Sequence, residues 1–202
     1  MLGEALESLA RQTYDDFETV IVLDECWEDT RSVVSPWEDI LNPCLVFETP
    51  RKRGLAYAKN FGIEKCSGDW IAYLDADDLW MDCKMEVQRD FMIASKQLDL
   101  CFTEYWDRDP ETNVWTPNCF DVGQYGTHLE IARRLPNENV LGHGSAVIRK
   151  SLLEDLGGYC TDSRVLGWED YDLWQRAMES GAIFGKVPER LYVYTLGTSV
   201  ER

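Results

Sequence analysis

Trp70-Ile71-Ala72-Tyr73-Leu74-Asp75-Ala76-Asp77-Asp78 is the stretch that decides how the chain folds. Its short continuous apolar run predicts a strand buried on both faces, and the run stops abruptly at acidic residues. In extended backbone, residues two apart point the same way, so Asp75 and Asp77 present two carboxylates on one side of the strand end. Hard divalent cations such as Mg²⁺ or Mn²⁺ take one or two such carboxylates together with phosphate oxygens and water. The same aspartates would also serve as a plain turn and as caps for a helix near 82–93.

Working outward, Val20-Ile21-Val22-Leu23 is a second run of this kind, ending at Asp24, and Cys44 to Phe47 is a third. Leu2, Leu6 and Leu9 stand at helical spacing and predict a helix over 2–11. Leu55, Ala58, Gly62 and Ile63 form another helical face, closed by Ser67-Gly68. Strands alternating with helices imply crossover connections and an α/β architecture, a mixed, mostly parallel sheet flanked by helices. Ligands of such sheets bind beyond the carboxyl ends of the strands, where Asp24 and Asp75 both sit. The second half is less regular. Leu100–Thr103 and Ser145–Ile148 predict strands, while 105–127, rich in Trp, Pro, Asn, Asp and Gly, reads as loop. Leu152–Leu156 predicts a short helix stopped by Gly157-Gly158, and Glu169–Ser180 a longer one stopped by Gly181. Two strands, Ile183–Val187 and Leu191–Tyr194, follow.

The 202 residues predict one domain with a sizeable core. With 45% hydrophobic and 28% charged residues, the composition excludes intrinsic disorder as the main reading. A formal charge of −17 repels a phosphate backbone, so nucleic acid is not an expected partner. The apolar runs fall far short of the roughly 20 residues a spanning helix needs, and the start carries no secretory signal pattern; peripheral attachment to a membrane stays open. Seven cysteines without a Cys-x-x-Cys pair argue against a disulfide framework or a structural zinc, and a reducing cytoplasm fits best.

Three further features carry chemistry. Arg51-Lys52-Arg53, before Gly54, is a dense basic cluster in an acidic chain, suited to a phosphate or to solvent. Glu169-Asp170 opens a helix whose Leu173, Trp174, Ala177 and Met178 face the core, leaving two carboxylates at the helix N-terminus. There the dipole favours their charged form, as a general base requires. A simple favourable charge at a helix start is the alternative. Trp168 adjoins this pair and offers an aromatic face to a sugar ring. His143, in Gly142-His143-Gly144, reads as a surface loop histidine or as one that reaches a diphosphate or metal.

The ordered set of segments resembles the family 2 glycosyltransferases of the GT-A fold. It comprises Leu9 to Tyr14, Val20 to Asp24, Gly54-Leu55-Ala56-Tyr57-Ala58-Lys59-Asn60-Phe61-Gly62-Ile63, Gly68 to Asp78, Leu156-Gly157-Gly158-Tyr159, Glu169 to Ala177, and Leu191 to Tyr194. The resemblance implies a single domain over 1–202, with 1–104 binding nucleotide and 105–202 binding acceptor. It implies a nucleotide-diphosphate sugar as donor, a UDP-sugar foremost, a hydroxyl acceptor on a glycan or lipid-linked glycan, and Mn²⁺ or Mg²⁺ as cofactor. It assigns Asp24, Arg53, Gly54, Asn60 and Asp75 to the nucleotide and Asp75 and Asp77 to the metal. Asp170 becomes the catalytic base with Glu169 beside it, and Trp168, Gly158 and His143 line the acceptor site. Transfer is expected to invert the anomeric centre.

The chain also departs from the family. Glu25-Cys26-Trp27-Glu28-Asp29 replaces an Asp-Gly-Ser pattern, no histidine follows Tyr194 in Thr195-Leu196-Gly197-Thr198, and the family's first strand, with its Pro-Thr-Tyr-Asn-like end, lies outside the sequence. A non-catalytic relative that keeps the fold, and a nucleotidyltransferase, are the alternatives.

Overall fold

A computed structural model describes residues 1–24, 28–49, 52–118 and 126–197. Helix α1 (Leu2–Ala10) leads into strand β1 (Thr19–Asp24), helix α2 (Glu28–Val34), strand β2 (Cys44–Thr49) and helix α3 (Leu55–Lys65). Strands β3 (Trp70–Ala72) and β4 (Leu79–Trp80) flank the aspartate turn, and helix α4 (Lys84–Ala94) follows. Strands β5 (Leu100–Arg108) and β6 (Trp115–Asn118) form a hairpin. After it come α5 (His128–Arg134), β7 (Val147–Arg149), α6 (Lys150–Asp155), α7 (Glu169–Glu179) and β8 (Phe184–Thr195). No helix among the described residues is long and apolar enough to cross a membrane.

The strands form two sheets. β1 and β2 pair in parallel, and the larger sheet runs β3-β7-β5-β8-β4, with β6 on β5. Its only parallel ladder among the described residues is β5 with β8; the β3–β7, β4–β8, β5–β6 and β5–β7 ladders are antiparallel. The sheet is mixed as expected, with a smaller parallel share, because the second half returns through hairpins and antiparallel additions. β1 and β3 lie in different sheets, each paired with one strand, and the described residues place no strand between them.

Alternating side chains of β5 serve two layers. Leu100 and Phe102 join Ile131 of α5, Leu135 just after it, Leu153 of α6, and Leu173, Trp174 and Ala177 of α7 in the main core. Each such large side chain contributes about 1.5–3 kcal/mol when withdrawn from water. Cys101 faces the other way, into a cluster with Leu98 and Val147 against Phe91 and Met92 of α4. Leu6 of α1, Leu23 of β1, Val34 and Leu41 make a third cluster. Helix α3 bridges the two sheets: Ile63 enters the main core, while Gly62 approaches β1 so closely that a Cβ there would stand 3.3 Å from Val22 Cγ2.

Two sequence expectations are corrected, and one helix is added that the sequence analysis did not foresee. The 105–127 segment is not all loop, because β5 extends to Arg108 and pairs with β6, and the bonds of the ladder outweigh the turn-rich composition. Helix α5 was not legible from apolar periodicity; it starts at a reciprocal cap in which Glu130 Oε2 accepts from the Thr127 N–H at 2.8 Å and Thr127 Oγ1 accepts from the Glu130 N–H at 3.4 Å. The two last strands are one, β8, whose register against β5 shifts where Thr103 faces Val187 and Glu104 faces Arg190. The bulge absorbs Pro188 and Glu189 without ending the strand.

Beneath the sheet, Lys84 of α4 is fully buried. Its Nζ donates to Gln88 Oε1 at 2.6 Å and lies 4.0 Å from the centre of the Trp80 ring. Burial lowers the amine to about 7 and pushes the neighbouring Cys101 thiol up to about 12. Between pH 7 and the ordinary lysine range, the unfolded chain binds one more proton at this site than the folded one, so stability rises with pH there. The stability of the wild type relative to Lys84→Met is expected to increase by ~2 kcal/mol between pH 6.5 and 8.5 in urea unfolding. A pH-independent difference would show that burial does not control this amine.

Candidate active site

The aspartate turn between β3 and β4 is anchored by its third member. Asp78 is buried, and its carboxylate accepts the Tyr192 hydroxyl on Oδ2 and the Thr195 N–H on Oδ1 at 2.8 Å, both from β8. Burial pushes this carboxyl up to about 7 against those two hydrogen bonds, and the charges of Asp75 and Asp77 push the same way. Thr195 Oγ1 donates to the Asp77 carbonyl, and the Asp78 N–H closes the turn on the Asp75 carbonyl at 3.2 Å. With Asp78 committed to β8, Asp75 and Asp77 are left partly exposed at the strand end.

Asp75 faces an imidazole. Its Oδ2 meets His143 Nδ1 at 3.3 Å. Although burial opposes ionisation, the charge and hydrogen bond of His143, together with Lys59, hold its carboxyl well below the usual carboxylate range. Lys59, from α3, reaches across to α7, where its Nζ lies 3.5 Å from Glu169 Oε1 with both side chains about nine-tenths buried. Glu169 Oε2 is buried with no hydrogen-bond partner. Asp170 lies one residue on, with Oδ1 accepting the Tyr171 N–H at 2.7 Å and Oδ2 accepting Asn139 Nδ2 at 3.4 Å. Burial raises the Tyr159 hydroxyl well above its ordinary value, and the charges of both Asp170 and Asp75 add to that rise. The Tyr159 ring lies 5.2 Å from Lys59 Nζ, and its hydroxyl meets the histidine that contacts Asp75, so this tyrosine links the aspartate turn to the Lys59–Glu169 pair.

Helix α7 begins where it does because Glu169, Asp170 and Asp172 fill its first turn, favourable to the dipole, while Leu173, Trp174 and Ala177 bury its inner face. Trp168, at the N-cap position, is 45% exposed, its ring tilted against Tyr171 at 6.1 Å.

The other expected residues divide into two groups. Asn60 and Gly158 meet each other rather than open space. Asn60 Oδ1 accepts the Tyr159 N–H at 2.7 Å, and Nδ2 donates to the Tyr159 carbonyl at 2.9 Å. A Cβ on Gly158, at φ +72°, would stand 2.3 Å from Asn60 Oδ1. His143 is not a surface loop residue; it is 8% exposed, with Nε2 2.9 Å from the Tyr159 hydroxyl. Asp24 forms the second group. Thr49 Oγ1 donates to its Oδ1 at 2.6 Å, the Arg53 N–H points between both oxygens, and the Gly54 N–H donates to Oδ2 at 3.0 Å. These bonds use most of the roughly four acceptor positions of a carboxylate. The Arg53 guanidinium covers the Tyr57 ring at 4.0 Å, Lys52 is exposed, and Arg51 lies outside the described residues. Sequence reasoning assigned no role to Lys59 or Tyr159, although both stand inside quoted motifs; a lone cation in the helical Ala-Lys-Asn segment was the available signal.

Among the described residues no group of three or more His, Cys, Asp and Glu side chains gathers to hold a metal unaided. Two neighbouring carboxylates, one of them firmly ionised, nonetheless fit a hard cation that completes its shell with phosphate oxygens and water.

Comparison with known proteins shows the family and the fold of the chain. The chain is 26% identical over 181 residues to the UDP-Gal:alpha-D-GlcNAc-diphosphoundecaprenol beta-1,3-galactosyltransferase of Escherichia coli, covering 89% of this chain and 63% of the relative. S. aureus TarS in complex with UDP superposes with a TM-score of 0.79 at 18% identity, covering 96% of this chain and 56% of that one. The mannosyltransferase PcManGT of Pyrobaculum calidifontis, in complex with GDP-Man and Mn2+, gives 0.74 at 20% identity, covering 98% and 53%. The chain thus spans between about half and two thirds of the length of these proteins, with which it shares the GT-A fold. The family model described as glycosyl transferase family 2 matches residues 1–157, and the chain belongs to that family.

Proposed function

We propose that this chain is a glycosyltransferase domain that moves a sugar from a nucleotide-diphosphate donor, a UDP-sugar foremost, to a hydroxyl of a glycan or lipid-linked glycan, with inversion. The observation that carries the reading is the chain of contacts that brings the start of α7 to the aspartate turn: Asp75 meets His143, His143 meets the Tyr159 hydroxyl, and Lys59 lies 5.2 Å from the Tyr159 ring centre and 3.5 Å from Glu169. The relative that uses UDP-Gal, the UDP complex of TarS and the GDP-Man complex of PcManGT support a nucleotide-sugar donor.

In this reading Asp75 and Asp77 hold a Mn²⁺ or Mg²⁺ ion, which supplies charge neutralisation to the leaving diphosphate when bound. Asp170 takes the proton from the acceptor hydroxyl. That oxygen forms its bond to the anomeric carbon as the bond from carbon to the diphosphate oxygen breaks, and the electron pair leaves with the nucleoside diphosphate. Lys59 compensates the charge of Glu169, so that Asp170 remains the carboxylate free to act as base. The exposed Trp168 ring stacks on the acceptor sugar. The 1–104 half supplies the nucleotide side and the 105–202 half the acceptor side.

Asp170→Asn is expected to reduce transfer, read as release of nucleoside diphosphate, by roughly 10²–10⁴-fold while leaving the affinity for UDP in Mn²⁺ within about twofold. Transfer at the wild-type rate would remove Asp170 from the reaction, and release of pyrophosphate instead would point to nucleotidyl transfer. Asp77→Ala is expected to weaken UDP binding in Mn²⁺ by at least about tenfold in calorimetry. Unchanged affinity would contradict the metal assignment.

A further inference from the structure

Asp75, His143, Tyr159 and Asn60 form one continuous chain that starts at the aspartate turn, passes through the buried His143 and Tyr159, and ends on α3. Each link is fixed by its own backbone. The Tyr159 peptide is gripped at both its N–H and its carbonyl by the Asn60 amide. The 143–145 turn is gripped from below, where Trp80 Nε1 donates to the Gly144 carbonyl at 2.9 Å and Gln88 Nε2 to the Ser145 carbonyl at 3.1 Å. Gly144 itself lies so close to Tyr192 that a Cβ would stand 2.4 Å from the ring. The imidazole packs 4.4 Å from the Tyr73 ring, centre to centre, and 6.5 Å from that of Trp174. A ring so enclosed has no room to swing towards an acceptor, and both its nitrogens already have partners.

We propose that His143, held by the Tyr159 hydroxyl, is a positioning residue for Asp75. Its contact with Oδ2 fixes the carboxylate plane and leaves Oδ1 to the donor's metal ion. The inference rests on the reading of Asp75 as a metal-binding residue and assigns to the buried histidine a role behind the site, in place of contact with acceptor or diphosphate. Partners of this kind set the orientation of a metal-binding carboxylate, and their loss typically costs about 10–100-fold in metal affinity.

The experiment uses the full chain, with UDP and GDP as probes, titrated by calorimetry in Mn²⁺ and again in EDTA, and with thermal unfolding recorded for every variant. Tyr159→Phe removes only the hydroxyl that holds Nε2, His143→Ala removes the imidazole, and His143→Asn keeps an N–H donor on the Asp75 side. The expected result is a loss of Mn²⁺-dependent affinity of roughly 3–10-fold for Tyr159→Phe and about 10–100-fold for His143→Ala, with most of the latter recovered in His143→Asn. Affinity in EDTA should stay within about twofold of wild type. A merely structural histidine would lower the unfolding temperature and leave the ratio of the two affinities unchanged, and that result overturns the proposal. Should His143→Ala fail to fold, Tyr159→Phe and His143→Asn decide alone. Asp75→Asn separates the two failures: if it loses Mn²⁺ dependence while the folded histidine and tyrosine variants keep it, the positioning role falls and the metal site stands. If Asp75→Asn keeps it, or the wild type binds neither nucleotide in Mn²⁺, the metal-site reading falls and takes the positioning role with it.

Discussion

The structure depends on how it tolerates carboxylates gathered at one end of an already acidic molecule. Asp75, Asp77 and Asp78 share one turn, and Glu169 and Asp170 open the helix that faces it. Two carboxylates 4 Å apart repel by about 4 kcal/mol at an effective dielectric of 20, and the chain carries a formal charge of −17. Three devices offset this repulsion. Lys59 pairs with Glu169 and its charge favours the ionised form of Asp75, His143 takes one oxygen of Asp75, and Asp78 is shifted to about 7 so that it is partly protonated near neutrality. What remains is a partly exposed pair, Asp75 and Asp77, whose charge a divalent cation is suited to balance.

These devices also join the two halves of the fold. The lysine comes from α3, packed over β1 and β3, and its partner from α7, packed over β5. Asn60, one residue after Lys59, grips Tyr159, and Tyr159 in turn meets His143. A single turn of α3 thus holds Glu169, Gly158 and Tyr159. Several of the residues expected to bind ligand contact one another or their own scaffold: Asn60 and Gly158 as a packed pair, His143 against Asp75, and Asp24 as the anchor of the Arg53-Gly54 backbone.

Where local pattern decided the structure, the sequence was readable. The Val20–Leu23 run, the Trp70 strand with its aspartate turn and the amphipathic start of α7 all follow from short-range periodicity and charge. Readability failed where distant partners decide. The β5–β6 hairpin forms from a segment of turn-formers because β5 is anchored in the core, and β8 continues through Pro188 because β5 pairs with it on both sides of the bulge. Burial of His143 could not be read from Gly142-His143-Gly144, since its partners lie 68 and 16 residues away. For the candidate site, the residue types and their order were legible, whereas the packing of expected residues on one another, as of Asn60 on Gly158, was not.

In the proposed function, Asp75 and Asp77 meet the α7 carboxylates around one cation and one nucleotide sugar. Crystals grown with UDP and MnCl₂, with diffraction recorded at a wavelength where manganese scatters anomalously, test it most directly. The account predicts one anomalous peak within coordination distance of the Asp75 and Asp77 carboxylates and of the UDP phosphates, with Asp170 facing the same space. A peak at another place on the molecule, or a nucleotide seated away from the aspartate turn, would contradict it.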